Sequence, residues 1–163
     1  MKSEFEPVNP WLEPTATLSV RNLPHFEAAG ATYFVTFRCR QGLTLPPQAR
    51  DILMAAITGC AQSRIDLDAA VVMPDHAHLL FRIMRSSRLR TVMRHIKGSS
   101  AIKINRLLDR TGPFWIRESF DHVVRDEAEW RDKIDYIRGN PVKRGLVIGL
   151  THYPWLFLKK ATG

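Results

Sequence analysis

Polar and apolar positions alternate along His76-Ala77-His78-Leu79-Leu80-Phe81-Arg82-Ile83, giving one row of His76, His78, Leu80 and Arg82 and another of Ala77, Leu79, Phe81 and Ile83. Side chains alternate across a strand, so this pattern predicts a strand from His76 to Met84 with an inward apolar row. Its outward row begins with two imidazoles facing the same way. Ala31 to Arg38 is dense in β-branched and aromatic residues, follows Gly30 and predicts the first strand. A second strand is predicted from Asp68 to Pro74, with Pro74-Asp75 as the tight connection into the histidine strand.

Helical spacing governs most of what remains. Pro46-Pro47 opens a helix in which Ile52, Leu53, Ala56, Ile57 and Cys60 form an apolar stripe through about Arg64. Ser87 is placed to cap a long helix from about Arg88 to Asp109, with Leu89, Val92, Met93, Ile96, Ile104, Leu107 and Leu108 at helical intervals. Gly98-Ser99-Ser100 are weak helix formers and predict a kink or a close backbone approach. Phe114 to Val124 reads as irregular or strand-like, and Asp126 to about Gly139 as a helix ended by Asn140-Pro141. This order, without internal repeats, predicts an α+β fold: an antiparallel sheet with helices packed on one face, leaving the histidine face free to meet a ligand.

Composition narrows the class. The 163 residues, 45% hydrophobic and 25% charged, suit one soluble domain. The prolines at 7, 10, 14 and 24 mark residues 1–28 as an extended N-terminal arm, residues 29–147 as the principal domain and 148–163 as a C-terminal tail packing on it. No apolar run approaches the roughly 18 residues of a membrane span, and the N-terminus lacks the apolar core of a secretory signal, so a cytoplasmic protein is expected. Cys39 and Cys60 are far apart and read as core thiols.

The formal charge of +8 is concentrated. Between Arg82 and Arg110 nine Arg and Lys residues stand against Asp109 alone, a local excess equal to that of the whole chain. Such a field on one element favours a phosphate polymer over a small acidic substrate, although a solvated helix face would have the same composition.

Two imidazoles on one sheet face suit a divalent metal, although a lone His-x-His is also a common surface pattern. Tyr136 and Asn140 lie four residues apart, which puts a phenol and an amide along one face at a helix end. A phenol can serve as a nucleophile and an amide oxygen as a metal ligand. Taken alone, Tyr136 also fits a packing or capping role.

The motifs taken in order are more specific than any one of them. They are Leu23-Pro24-His25-Phe26, Gly30-Ala31-Thr32-Tyr33-Phe34-Val35-Thr36-Phe37-Arg38, Val72-Met73-Pro74-Asp75-His76-Ala77-His78-Leu79-Leu80, and Lys97-Gly98. There follow Phe114-Trp115, Ser119-Phe120-Asp121-His122, Arg125-Asp126-Glu127, Asp135-Tyr136-Ile137, Asn140-Pro141-Val142-Lys143, Gly145-Leu146-Val147 and Tyr153-Pro154-Trp155. Over nearly its whole length the chain resembles the REP-associated tyrosine transposases, members of the single-tyrosine HUH transposase superfamily. It departs from their commonest pattern at Asp75, where Asn is usual, at the small Ala77, and at Arg138-Gly139.

The resemblance implies a ferredoxin-like, HUH endonuclease-like sheet, His76, His78 and Asn140 as ligands of Mg²⁺ or Mn²⁺, and Tyr136 as the nucleophile. It implies cleavage of single-stranded DNA beside hairpins, in REP-like palindromes, through a 5′-phosphotyrosine, by a monomer rather than a dimer. Arg82, Arg85, Arg88, Arg90, Arg94, Lys97 and Lys103, with Lys143 and Arg144, are the expected DNA-binding residues. Trp11, Phe26 and Trp115 are read as core residues before base-stacking ones, and His122 as structural or DNA-contacting. Two competing readings remain at this point: a non-catalytic, regulatory DNA-hairpin-binding protein, and a zinc-stabilised RNA-binding fold.

Overall fold

The computed structural model describes residues 30–84, 86–149 and 152–161. The expected N-terminal arm, with Trp11, His25 and Phe26, and the predicted DNA contact Arg85 lie outside these residues. Eight elements follow in order: β1 (Thr32–Arg38), α1 (Pro47–Cys60), β2 (Ile65–Val72), β3 (His76–Ile83), α2 (Leu89–Leu107), β4 (Phe120–Val124), α3 (Glu127–Lys143) and β5 (Leu156–Leu158). The strands form one sheet in the order β4-β1-β3-β2-β5, and every neighbouring pair is antiparallel. The first six elements thus make the ferredoxin-like β-α-β-β-α-β unit. α3 and β5 are additions, with β5 extending the sheet beside β2.

Alternation in the strands sorts the core onto two faces. Tyr33, Val35 and Phe37 of β1 and Ala77, Leu79, Phe81 and Ile83 of β3 pack with Leu53 and Ile57 of α1 and Val92, Ile96 and Ile104 of α2. That is the inward apolar row expected of the histidine strand. Phe34, Ala69, Val71 and Leu80 point to the other face, where Ile137 of α3 and Tyr153 pack upon them. Helices on one face is therefore correct for α1 and α2, whereas α3 roofs the opposite face. The histidine face is not open: His76 and His78 are each only 5% exposed.

Element ends differ from the predicted ones for identifiable reasons. β2 begins at Ile65 because Ile65 and Leu67 are buried while Asp66 and Asp68 are only half-buried, an alternation hidden by its charges. The register shifts between Leu67 and Ala69. Ser87 does not cap α2; the N-cap is Arg88, without a side-chain cap, and the Ser87 N–H closes a turn onto Met84 O at 2.9 Å. Among the described residues nothing outside the helix approaches Gly98 within 4 Å of where a Cβ would stand. The close contact comes at Ser100, whose hydroxyl donates to Ile96 O at 2.6 Å and accepts from Trp115 Nε1 at 3.1 Å. Trp115 is accordingly a core residue.

α3 shows the most consequential difference. Asp126 caps it, accepting from the Glu129 N–H at 2.9 Å, but the helix runs through Pro141 to Lys143. Proline removes one donor and usually ends or kinks a helix. Here it falls in the last turn, where Asn140 O still accepts from Arg144 N at 3.0 Å and Pro141 O from Leu146 N at 2.9 Å. Asn140 therefore stays helical, one turn beyond Tyr136.

Candidate active site

The ladder between β1 and β3 sets Arg38 opposite His76 and Thr36 opposite His78, all four on one sheet face. Thr36 Oγ1 lies 2.7 Å from His78 Nδ1 in a buried hydrogen bond. His76 Nδ1 lies 2.6 Å from Asp75 Oδ1, and the other Asp75 oxygen accepts from Arg38 Nη2 at 3.3 Å. The hydrogen bond to His76 and the charges of His76 and Arg38 pull the Asp75 carboxyl down to about 2, against its partial burial. An ionised carboxylate only accepts. His76 Nδ1 therefore carries a hydrogen, which leaves Nε2 as the ring nitrogen able to turn a lone pair toward a cation.

α3 supplies the roof. Its spacing of four brings Tyr136 and Asn140 to one side, and the Tyr136 ring meets His78 edge-on with centroids 5.0 Å apart. Phe34 stacks on His78 at 5.6 Å and meets Tyr136 edge-on at 5.9 Å, so one buried phenylalanine braces both rings. The His76 and His78 rings are themselves 4.7 Å apart. Lys133 Nζ stands over the outer Phe34 ring at 4.8 Å. Burial raises the Tyr136 phenol above its ordinary value, offset by the Arg144 charge and by a hydrogen bond with Asn140. Burial, with the charges of His76 and Arg144, drives His78 well below the usual imidazole range, so it is neutral.

Among the described residues, two atoms in this roofed space lack partners: His78 Nε2 and Asn140 Oδ1 are buried without a hydrogen bond. A buried polar group left unpaired costs about 1–3 kcal/mol, and folded proteins keep few of them. Both are lone-pair donors of kinds that bind Mn²⁺ or Mg²⁺, and with His76 Nε2 they form a set of two imidazoles and an amide. The residues thus fit a divalent ion. No group of three or more His, Cys, Asp or Glu side chains among the described residues is placed to hold a metal, so an all-carboxylate or cysteine site is not offered there.

The expected DNA contacts separate into two regions. Lys143 is the last residue of α3 and Arg144 its C-cap, and the Arg144 charge reaches both His78 and Tyr136. Arg82 lies on the histidine face but pairs with Asp66 at 2.8 Å. Arg90, Arg94 and Lys103 are exposed on α2, behind the sheet from Tyr136, with Arg88 exposed at its N-cap. Lys97 has its ammonium committed internally, donating to Ile116 O at 2.8 Å, Arg117 O at 3.0 Å and Ser119 Oγ at 3.1 Å. It clamps the segment leading to β4. His122 bonds Glu129, tying β4 to the first turn of α3.

Thr36, Arg38, Phe34 and Lys133 were not singled out from the sequence. Thr36 and Arg38 had a usable signal, since Thr36 and Arg38 share the outward parity of β1, but only the strand register turns that parity into a contact.

Residues 37–138 match the family model for IS200-like transposases, a span exceeding half the chain and containing both histidines and the tyrosine. The chain belongs to this family. It is 26% identical over 133 residues to a REP-associated tyrosine transposase of Escherichia coli K12, covering 77% of this chain and 75% of that protein. It is also 29% identical over 106 residues to a Haemophilus influenzae protein provisionally given the same name, covering 59% and 60% of the two. A solved structure of a REP-associated tyrosine transposase bound to a REP hairpin superposes with a TM-score of 0.70 at 24% identity, over 82% of this chain and 80% of that one. This likeness establishes the IS200-like transposase's fold. Among the described residues no helix is long and apolar enough to cross a membrane.

Proposed function

We propose that this IS200-like transposase is a metal-dependent endonuclease and strand-transferase of single-stranded DNA, which cuts beside hairpins through a covalent link to Tyr136. The observation that carries the reading is the pair of unpartnered buried atoms, His78 Nε2 and Asn140 Oδ1, beside the Tyr136 ring. His76, His78 and Asn140 would hold Mg²⁺ or Mn²⁺, imidazole donors favouring Mn²⁺. When bound, the ion supplies Lewis-acid polarisation of the scissile phosphate. Tyr136 Oη attacks the phosphorus in line, the P–O3′ bond breaks, and the products are a 5′-phosphotyrosine and a free 3′-hydroxyl. The phenol proton must leave, and the Arg144 charge and the Asn140 hydrogen bond both favour the phenolate that results. A later 3′-hydroxyl can reverse the step and join strands.

The hairpin held by the structural neighbour supports a hairpin substrate here. A backbone that must be displaced by a bulky phenol is more accessible in a single strand beside the stem. Tyr136 and His78 of one chain already touch, which supports a monomer acting within itself. Sedimentation should then give 18.7 kDa; twice that mass overturns this part.

The deciding experiment is incubation with hairpin-bearing single-stranded DNA, with Mn²⁺ or with EDTA, read on a denaturing gel. A protein–DNA adduct is expected that needs Mn²⁺ and is absent in Tyr136→Phe. An adduct in Tyr136→Phe overturns the nucleophile. Tight hairpin binding without adduct under any metal condition would instead support the non-catalytic regulator.

A further inference from the structure

The two histidines are held at Nδ1 by different oxygens, and the β1–β3 ladder delivers both. Thr36 meets His78 directly at 2.7 Å across its own register position. Arg38 reaches His76 through Asp75, at 3.3 Å on one carboxylate oxygen, while the other lies 2.6 Å from the ring nitrogen. Asp75 is fixed by its backbone as well: it lies in the Pro74-Asp75 turn closed by Met73 N–H onto His76 O at 2.8 Å, and its carbonyl accepts from Cys39 N at 2.9 Å. Asp75 is thus held by its backbone and has a partner on each carboxylate oxygen. One of those partners is the Nδ1 of a candidate ligand.

We infer that Asp75 and Thr36 are positioning residues that select the ligand-ready tautomer of His76 and His78, and that Arg38 locks Asp75 in that role. The inference rests on the metal reading of the site. An imidazole binds a cation through a nitrogen lone pair, so Nε2 is available only when the hydrogen resides on Nδ1. At His76 the acceptor-only carboxylate enforces this. At His78 the alternative tautomer would bury an Nε2–H with no acceptor, since that atom has no partner, whereas Nδ1–H has Thr36 Oγ1. The oxygens are unequal: a carboxylate raises the basicity of its imidazole more than a hydroxyl does. Asp75 strengthens the site by its charge as well as by its hydrogen bond to His76.

The test is titration of the full chain with Mn²⁺ alone, followed by the loss of the free-ion electron paramagnetic resonance signal, beside the melting temperature of the metal-free protein. Asp75→Ala and Thr36→Val should raise the Mn²⁺ dissociation constant about 10–100-fold, the range for partners of metal-bound histidines. Thr36→Ser should restore most of the affinity, because it returns the oxygen. Asp75→Asn should fall between Asp75→Ala and the unaltered chain, since it keeps an acceptor and loses the charge. Unaltered affinity in Asp75→Ala and Thr36→Val overturns the inference and leaves the metal site standing. So does a loss of binding that only tracks the loss of folded protein. Absence of Mn²⁺ binding by the unaltered chain overturns the metal reading and this inference with it. Should Asp75→Ala fail to fold, Asp75→Asn against Thr36→Val and Thr36→Ser decides the same question.

Discussion

The two faces of this sheet are built from the same strands and do opposite work. On the α1 and α2 face Val35, Phe37, Leu79 and Phe81 are fully buried among apolar neighbours. On the α3 face the residues one step along the same strands are Phe34, Thr36, His76, His78 and Leu80, and two polar atoms are buried without partners. The first face supplies stability, and the second holds groups that oppose it. A one-residue slip of β3 would exchange these faces, which ties the site to the register of the whole core.

The largest expected effect lies on the first face. Phe37 is fully buried and meets Trp115 edge-on at 5.0 Å. Phe37→Ala should destabilise by about 3–5 kcal/mol through the cavity it leaves, measured by urea unfolding. If the faces are separable, cleavage per folded molecule survives; loss of cleavage in fully folded protein would break the comparison.

Asn140→Ala should show the reverse. It deletes a buried unsatisfied carbonyl together with the hydrogen bond to Tyr136, so metal-free stability should change by under about 1 kcal/mol, the relief of the unpaired oxygen offsetting the lost bond and contacts. Metal-dependent cleavage should fall about 10-fold or more if the amide is a ligand. Thermal melts and adduct yield on the same preparation read both quantities, and a large stability loss with intact cleavage would sink the assignment.

How much of this was legible beforehand depended on range. The alternation in β1 and β3 depends only on neighbouring residues, and both strands were read correctly. The stripe of α1 is borne out, and that of α2 as far as Ile104; Leu107 is exposed and Leu108 lies past the helix end. The end of α3 was misread because Pro141 carries a local signal to stop, while its cost in a last turn is small enough for packing of Ile137 to override. The spacing of four already sets Tyr136 and Asn140 along one face, and the structure adds that Asn140 is itself helical. Asp75 and Thr36 as partners of the histidines need the register, a long-range property with no signal in either segment alone. The basic run of α2 was plain in the sequence, but which side of the sheet it occupies is a property of topology. Lys97 looked like one more basic residue until three acceptors closed around it.

α2 therefore offers a test between the faces. Arg90 and Arg94 are exposed, one turn apart, on the side of the sheet away from Tyr136. If they contact phosphates, replacing both with Ala should lower the slope of log affinity against log salt by about 1.4 on single strands or 1.8 on a duplex stem. A duplex-like decrement would assign α2 to the stem and the Tyr136 face to the single strand. No change in slope would leave α2 outside the DNA path.

The smallest effect concerns how the C-terminal strand is fastened. Asp66 Oδ1 accepts from Lys159 Nζ at 2.6 Å and Asp66 Oδ2 from Arg82 Nη2 at 2.8 Å, so one carboxylate links β2 to the residue after β5 and to β3. The Lys159 hydrogen bond, with Arg82, lowers its carboxyl below the ordinary value. A group whose folded value is depressed contributes stability above its unfolded value, near 3.9, and loses it as pH falls through the folded one. The difference in melting temperature between the unaltered chain and Asp66→Asn should thus be constant above about pH 5 and shrink as the pH falls below about 4. Its size should match an exposed pair, about 0.2–1 kcal/mol, because solvent screens a carboxylate one-third exposed. Tyr153, buried with its hydroxyl donating to Val72 O at 2.8 Å, should keep the tail in place when that pair is lost. If Asp66→Asn instead released β5 and cleavage fell with it, the tail would owe its position to charge rather than to packing, and the α3 face would depend on surface electrostatics as the α1 and α2 face does not.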